Sequence, residues 1–146
     1  MTKVCYISDF LLEDLIGGTE LNDDQLCKML INYGFSLTRN RSSQIKLQDI
    51  HLDVFYIISN FCNLKEEVKH YIQENCNYVI YEHDHKYLIS RDPSLYDSYR
   101  APTDHIINRT FYQRAKKVFC QSSFHCNIIK ENLKLNNLQS IVTGKL

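Results

Sequence analysis

The stretch from Lys3 to Leu30, KVCYISDFLLEDLIGGTELNDDQLCKML, constrains the fold more than any other part of the chain. It opens with Val4-Cys5-Tyr6-Ile7-Ser8, a β-branched and aromatic run that reads as a buried strand. A loop leads to Gly17-Gly18, and the spacing of Leu26, Cys27, Leu30 and Ile31 predicts a helix from about Thr19 to Tyr33. Thr19 is the expected N-cap. Glu20, Asp23 and Asp24 fall in the first turn, where acids favour the helix dipole, and Gly34 is the expected stop. Strand, diglycine loop, helix is how a nucleotide-binding α/β unit begins. Glycine admits a ligand close to the backbone, and the N–H groups of a helix start attract phosphate. Against this stand the missing G-x-G-x-x-G fingerprint and the acids of the first turn, which repel an anion; a diglycine before a helix is also a plain tight turn.

The alternation continues. Phe35 to Thr38 (FSLT) reads as a second strand, followed by a polar loop from Asn40 to Gln44. Asp53 to Ser59 (DVFYIIS) is apolar without alternation, as a strand covered on both faces must be. Asn63-x-x-Glu66 has the form of a capping box, opening a helix that carries Leu64, Val68, Tyr71 and Ile72 on one face. A strand is expected at 77–82, then an irregular stretch from Tyr87 to Pro102. Thr103 or Asp104 is the expected cap of a further helix with Ile106, Ile107, Phe111 and Ala115 inward. A strand at 117–121, a helix capped by Ser122 or Ser123 with Phe124, Ile128, Ile129 and Leu133 on one face, and a last strand at 139–143 before Gly144 complete the pattern. Strands alternating with helices imply right-handed βαβ units. The expected fold class is α/β: one three-layer Rossmann-like domain over residues 1–146, with a parallel sheet, strand one central and helices on both faces.

Lys and Arg number 17, as do Asp and Glu, so the balance carries neither a nucleic-acid footprint nor a polybasic membrane patch. No apolar run has the length of a membrane span, and Lys3 leads directly into a strand, so no signal peptide is expected and the cytoplasm is the expected compartment. The six cysteines form no C-x-x-C pair, which points to reduced, mostly buried thiols and away from structural zinc.

In a parallel sheet, ligands bind outside the carboxyl ends of the strands, where strand order switches direction. Two charged or glycine-rich segments fall at such ends: the loop with Gly17 and Gly18, and Glu82-His83-Asp84-His85-Lys86 after the fourth strand. Asp9, at the end of strand one, is a further candidate. Three readings compete for the EHDHK cluster. His83 and His85, two apart in extended chain, point the same way and can converge on a metal with Asp84, but no third ligand is evident. The cluster can also be a solvated strand end. The third reading is a substrate site, with a histidine donating to a sugar hydroxyl or phosphate and a carboxylate fixing its tautomer. On that reading His83 and Asp84 are the candidate catalytic residues, and Glu82, His85 and Arg91 bind substrate. Asp84 or Glu82 is the candidate base if the reaction inverts. In the Tyr87–Pro102 stretch, Tyr96, Tyr99, Arg91 and Arg100 suit stacking on a sugar and pairing with phosphate in a mobile lid; the alternative is a surface excursion whose aromatics pack back on the core.

The order of these segments resembles the N-terminal domain of GT-B-type glycosyltransferases, in the large retaining family of sugar-nucleotide-dependent hexosyltransferases. The residues that carry the resemblance are Gly17-Gly18-Thr19-Glu20 after the first strand, Asp53-Val54-Phe55-Tyr56 opening a later one, Tyr81-Glu82-His83-Asp84 ending another, and Ala115 followed by KKVFCQSSFH, with Ser122-Ser123 opening a helix. The resemblance implies an acceptor-side domain in carbohydrate biosynthesis. Gly17 and Gly18 would line the donor cleft near the diphosphate or sugar, and His83 would approach the donor sugar. Glu20 would match by position, with a structural role open to it. The implied partners are a nucleotide-sugar donor and a sugar or glycan acceptor, with no nucleic acid, no cofactor and no metal. The family's nucleotide-gripping residues belong to a second Rossmann-like domain with no counterpart here. The resemblance therefore implies a C-terminal domain or second subunit, without which this chain is expected to be inactive. The face that would meet it is also a candidate dimer surface. Two other functions fit the same pattern: a non-catalytic interaction module, and a small standalone nucleotide- or phosphate-binding enzyme.

Overall fold

The structure, a computed structural model, describes residues 2–141. It is an α/β fold of Rossmann-like type. The strands are β1 (Lys3–Ser8), β2 (Ser36–Arg41), β3 (Phe55–Ile58), β4 (Asn77–Tyr81), β5 (Val118–Cys120) and β6 (Leu138–Ser140). The helices are α1 (Gly18–Asn32), α2 (Glu66–Asn75), α3 (Arg109–Arg114) and α4 (Ser123–Leu133). Strand order is β2-β1-β3-β4-β5-β6. The chain divides into two compact units, one ending at Val79 and the other starting at Ile80.

In the first unit β1 runs parallel to β2 on one side and to β3 on the other, with Cys5 opposite both Thr38 and Tyr56. From Val4 to Ser8 no residue of β1 is exposed, as its unbroken apolar pattern requires. β2 is longer than FSLT and takes in residues read from sequence as loop. As an edge strand it tolerates the polar side chains of SLTRNR.

Helix α1 starts one residue earlier than expected. Gly17, extended, is the N-cap, and its carbonyl accepts from the Leu21 N–H at 3.0 Å, so Thr19 lies inside the helix and caps nothing. Gly34 ends the helix with φ 94°, a left-handed value that favours glycine. The Phe35 N–H reaches the Leu30 carbonyl at 3.1 Å and the Gly34 N–H reaches Ile31 at 3.0 Å, a Schellman stop. The face that α1 buries is not the leucine stripe alone. Glu20, Asp23 and Cys27 are buried, whereas Ile31 is exposed. Asp23 accepts from the Ser59 hydroxyl at 2.8 Å, so Asp23 and Glu20 are interior groups, whereas Asp24 is only half-buried and pairs with Lys28 at 2.9 Å.

Asn63 does not cap α2. The helix begins at Glu66 with Lys65 as N-cap, because the Asn63 N–H is bound to the Asp9 carboxylate at 2.9 Å. Val68 and Ile72 are fully buried on α2, and each such side chain contributes roughly 1.5–3 kcal/mol relative to an exposed one. Tyr71 is at the margin of exposure.

In the second unit β5 pairs in parallel with the end of β4 and with β6. The helix expected from Thr103 is instead a single 3-10 turn, Thr103–His105. Ile106 is used in an antiparallel bridge with Leu88, which is fully buried, and the Ile107 N–H donates to the Tyr87 carbonyl at 2.8 Å. Two adjacent β-branched residues favour extended chain. α3 therefore waits until Arg109, after a left-handed turn at Asn108. Ser122 caps α4, accepting from the His125 N–H at 3.1 Å, while Phe124 is exposed. The Tyr87–Pro102 stretch holds two short 3-10 turns, Pro93–Leu95 and Asp97–Tyr99. Asn132 of α4 ties it down, accepting from the Ala101 N–H and donating to the Tyr99 carbonyl at 2.9 and 2.8 Å. Tyr87 is fully buried on the core, whereas Tyr99 is exposed and meets Phe124, itself exposed, edge-on at 5.8 Å. The last strand ends at Ser140, and the expected continuation through Thr143 to Gly144 lies outside the described residues.

Candidate functional site

The first unit contains a switch point of its own. From β1 the chain crosses α1 to β2 on one side, then returns past β1 to β3 on the other, so the crevice opens at the carboxyl ends of β1 and β3. Asp9 follows β1 directly. Its carboxylate accepts from the Ser42 hydroxyl and from two consecutive backbone N–H groups after β3, Cys62 at 3.0 Å and Asn63 at 2.9 Å. Paired N–H groups of this kind form an anion cradle, and here the chain's own carboxylate fills it. Beside it lies an open groove of about 440 Å³ lined by Asp9, Phe10, Asp14, Leu15, Arg41, Ser43 and Asn63. Arg41, the last residue of β2, grips Asp14 through two bonds, Nε–Oδ2 at 2.7 Å and Nη2–Oδ1 at 2.8 Å. That guanidinium, with the Leu11 N–H, holds the Asp14 carboxyl down at about 2.

Gly17 and Gly18 form the start of α1, and they differ. A Cβ on Gly17 would lie 2.6 Å from Glu20 Oε2, so the glycine makes room for that buried carboxylate. Glu20 thus supplies an anion to its own helix start. A Cβ on Gly18 meets nothing within 4 Å.

The second unit gathers Glu82, His83, Asp84, His85 and Arg91 into one polar network at the end of β4. Glu82 is fully buried, paired with the Lys86 ammonium and accepting from the Tyr112 hydroxyl. Expected as a ligand-binding residue, its side chain is an interior group. Lys86 also donates to Asp84 at 2.7 Å, and Arg91 Nε reaches the other Asp84 oxygen at 2.9 Å. Burial opposes ionisation of Asp84, but Lys86 and Arg91 outweigh it and hold the carboxyl at about 2. Arg91 sits at φ 59°, a left-handed position that turns the chain back toward Asp84. His85 Nδ1 lies 2.7 Å from the Tyr87 hydroxyl, and its ring meets His125 edge-on at 4.7 Å. Burial, then the neighbouring His125, push His85 down to about 4. His125 Nδ1 accepts from the Gln121 N–H at 3.4 Å, which leaves Nε2–H to donate to the Asp84 carbonyl at 2.9 Å. The Gln121 side-chain amide donates to the Glu82 carbonyl at 3.2 Å and to His83 Nδ1 at 3.3 Å. His83 is half-buried, edge-on to Tyr81, and in its neutral form carries its proton on Nε2.

Sequence reasoning located the cluster and Asp9 but missed Gln121, Tyr112 and His125 in the second unit, and Asp14, Arg41, Ser43 and Asn63 in the first. Arg41 had a readable signal, a cation ending a strand, hidden by assigning 40–44 to a loop. Gln121 and His125 follow β5, and their convergence on β4 depends on strand order. Among the described residues no group of three or more His, Cys, Asp or Glu side chains is placed to hold a metal ion.

Fold and site together define a Rossmann-like α/β protein with polar clusters at the carboxyl ends of its strands. No protein-family model matches the chain, and no curated protein matches it either. No helix among the described residues is long and apolar enough to cross a membrane.

Proposed function

We propose that the chain is the acceptor-side, N-terminal domain of a GT-B-type glycosyltransferase, contributing to hexosyl transfer from a nucleotide sugar to a sugar or glycan. The observation that carries this reading is the open groove at the switch point of the first unit, the place where ligands bind in parallel sheets. In the transfer, the bond from the sugar's anomeric carbon to the diphosphate breaks. A bond to an acceptor oxygen forms, and the acceptor hydroxyl's proton passes to the departing nucleotide diphosphate. The nucleotide is held by a second domain or subunit, since Asp9 and Glu20 already occupy the first unit's cradle and helix start. His83 serves as a donor to a hydroxyl of the transferred sugar through Nε2–H. Asp84, doubly ion-paired, is a poor base at neutral pH and acts by positioning Arg91. The protein works in the cytoplasm, where its six thiols stay reduced.

The filled cradle and helix start also favour a second reading, a non-catalytic interaction module, over a standalone phosphate-binding enzyme. Titration with UDP-, GDP- and ADP-sugars and with glycosides, followed by NMR, separates the three. Glycoside-dependent shifts at Arg41 and Asn63 without tight nucleotide-sugar binding are expected. Tight nucleotide-sugar binding by this chain alone returns the standalone enzyme, and no binding of either returns the module. With a second domain supplied, His83→Ala should lower turnover about tenfold, the worth of one lost hydrogen bond, with folding intact. Unchanged turnover removes His83 from the site.

A further inference from the structure

We infer that the switch-point pocket of the first unit takes an uncharged amphiphile: an alkyl or aryl glycoside, its hydroxyls on the polar floor and its apolar part on Phe10 and Leu15. This rests on reading the chain as an acceptor-binding domain and narrows the class of acceptor.

Charge excludes an anionic ligand. Of the ionised groups lining the groove, two are carboxylates, Asp9 and Asp14, and one is a guanidinium, Arg41. Arg41 gives Nε and Nη2 to Asp14, so a phosphate or carboxylate entering the pocket has to break that pair and then face both acids. Asp9 has three donors of its own and makes no demand for a cation. The remaining polar lining is neutral. Ser43 and Asn63 are exposed, and a hydroxyl and a carboxamide suit a ligand rich in hydroxyl groups.

The apolar lining calls for more than a sugar ring. Phe10 is 46% exposed and Leu15 51%. An aromatic ring alone is explained by stacking on the apolar face of a hexose. Leu15 has no ring of its own to stack; methylene or aryl groups are what it covers. A polar floor with an aliphatic lip therefore matches a hydroxylated head and an apolar tail.

The test uses matched methyl and n-octyl β-glycosides of glucose, galactose and mannose, below the micelle concentration, titrated into the full chain by NMR with 1-octanol and hexose 6-phosphates alongside. Burying two of the octyl methylenes gives about a tenfold tighter octyl than methyl glycoside. Phe10→Ser and Leu15→Ser should erase that difference, both positions being exposed enough to spare the fold, while Ile89→Ser, exposed in the second unit, should keep it. Equal octyl and methyl affinities overturn the amphiphile and leave the glycan reading standing. Tighter binding of a hexose 6-phosphate, octanol competing as well as an octyl glycoside, or an octyl gain that survives both serine variants also overturns it. Binding of no glycoside overturns the proposal and the acceptor-domain reading together.

Discussion

At the scale of single residues, the two adjacent glycines do different work. Gly17 is extended and its space is taken by Glu20, so Gly17→Ala has to push a buried carboxylate aside. A cost of about 1 kcal/mol in urea denaturation is expected, the low end for overpacking, because the obstacle is the tip of a flexible side chain. Gly18 is the first helical residue with open space around its Cα, so Gly18→Ala should leave stability equal or raise it by up to about 1 kcal/mol. A Gly18→Ala variant less stable than Gly17→Ala contradicts this account. His85 gives a pH dependence. Its folded value, about 4, lies below its ordinary 6.5, so between these values the unfolded chain binds more protons. The stability that neutral His85 provides is complete above pH 6.5 and is lost as pH falls toward about 4. Asp84, held at about 2 against an ordinary 3.8, adds a loss only below that window. Denaturation midpoints over the upper window should fall with acid, and His85→Gln should flatten the slope. An unchanged slope places the titrating group elsewhere.

At the scale of elements, the end of β4 depends on a buried ion pair. Lys86→Met leaves the Glu82 carboxylate charged and buried without its ammonium partner, though still accepting from the Tyr112 hydroxyl, at a cost of about 3–5 kcal/mol. The double variant Glu82→Gln, Lys86→Met removes both charges and keeps an acceptor for Tyr112, so much of that loss should return. A double variant no better than Lys86→Met breaks the pair argument. This pair also marks where sequence reading stopped. Five residues, EHDHK, show that charge collects after a strand, but not which charges face inward. That depends on Tyr112 and Gln121, thirty or more positions away, and on β4 lying beside β5. The elements were legible where a local pattern decides: the apolar runs of β1, β3 and β4, the Gly34 stop, the Ser122 cap. They were misread where a tertiary partner overrides local preference. Asp9 takes the Asn63 N–H that a capping box would use, and Leu88 takes Ile106 from a helix. Asp23 and Glu20 look like solvated helix acids until Ser59 and Gly17 are placed against them.

At the scale of the molecule, the thiols report how each unit opens. All six cysteines are free, with Cys62 exposed, Cys76 and Cys126 intermediate, and Cys5, Cys27 and Cys120 buried. Burial raises the Cys5 thiol and pushes Cys27 up to about 12, so neither reacts in place at neutral pH. In native-state labelling Cys62 should react first and the three buried thiols only through opening. Cys5 and Cys27 make the sharper test. Cys5 lies on the face of β1 that carries Tyr56, while α1 with Cys27 covers the face of Tyr6 and Ser59. If β1 and its two covered faces open as one cooperative body, both thiols label at one rate, with the same urea dependence. If Cys27 labels much faster, α1 lifts from the sheet alone. Ser59→Ala then decides between the two. It should speed labelling of Cys27 without touching Cys5 if the bond anchors the helix, and speed both equally if the unit opens whole.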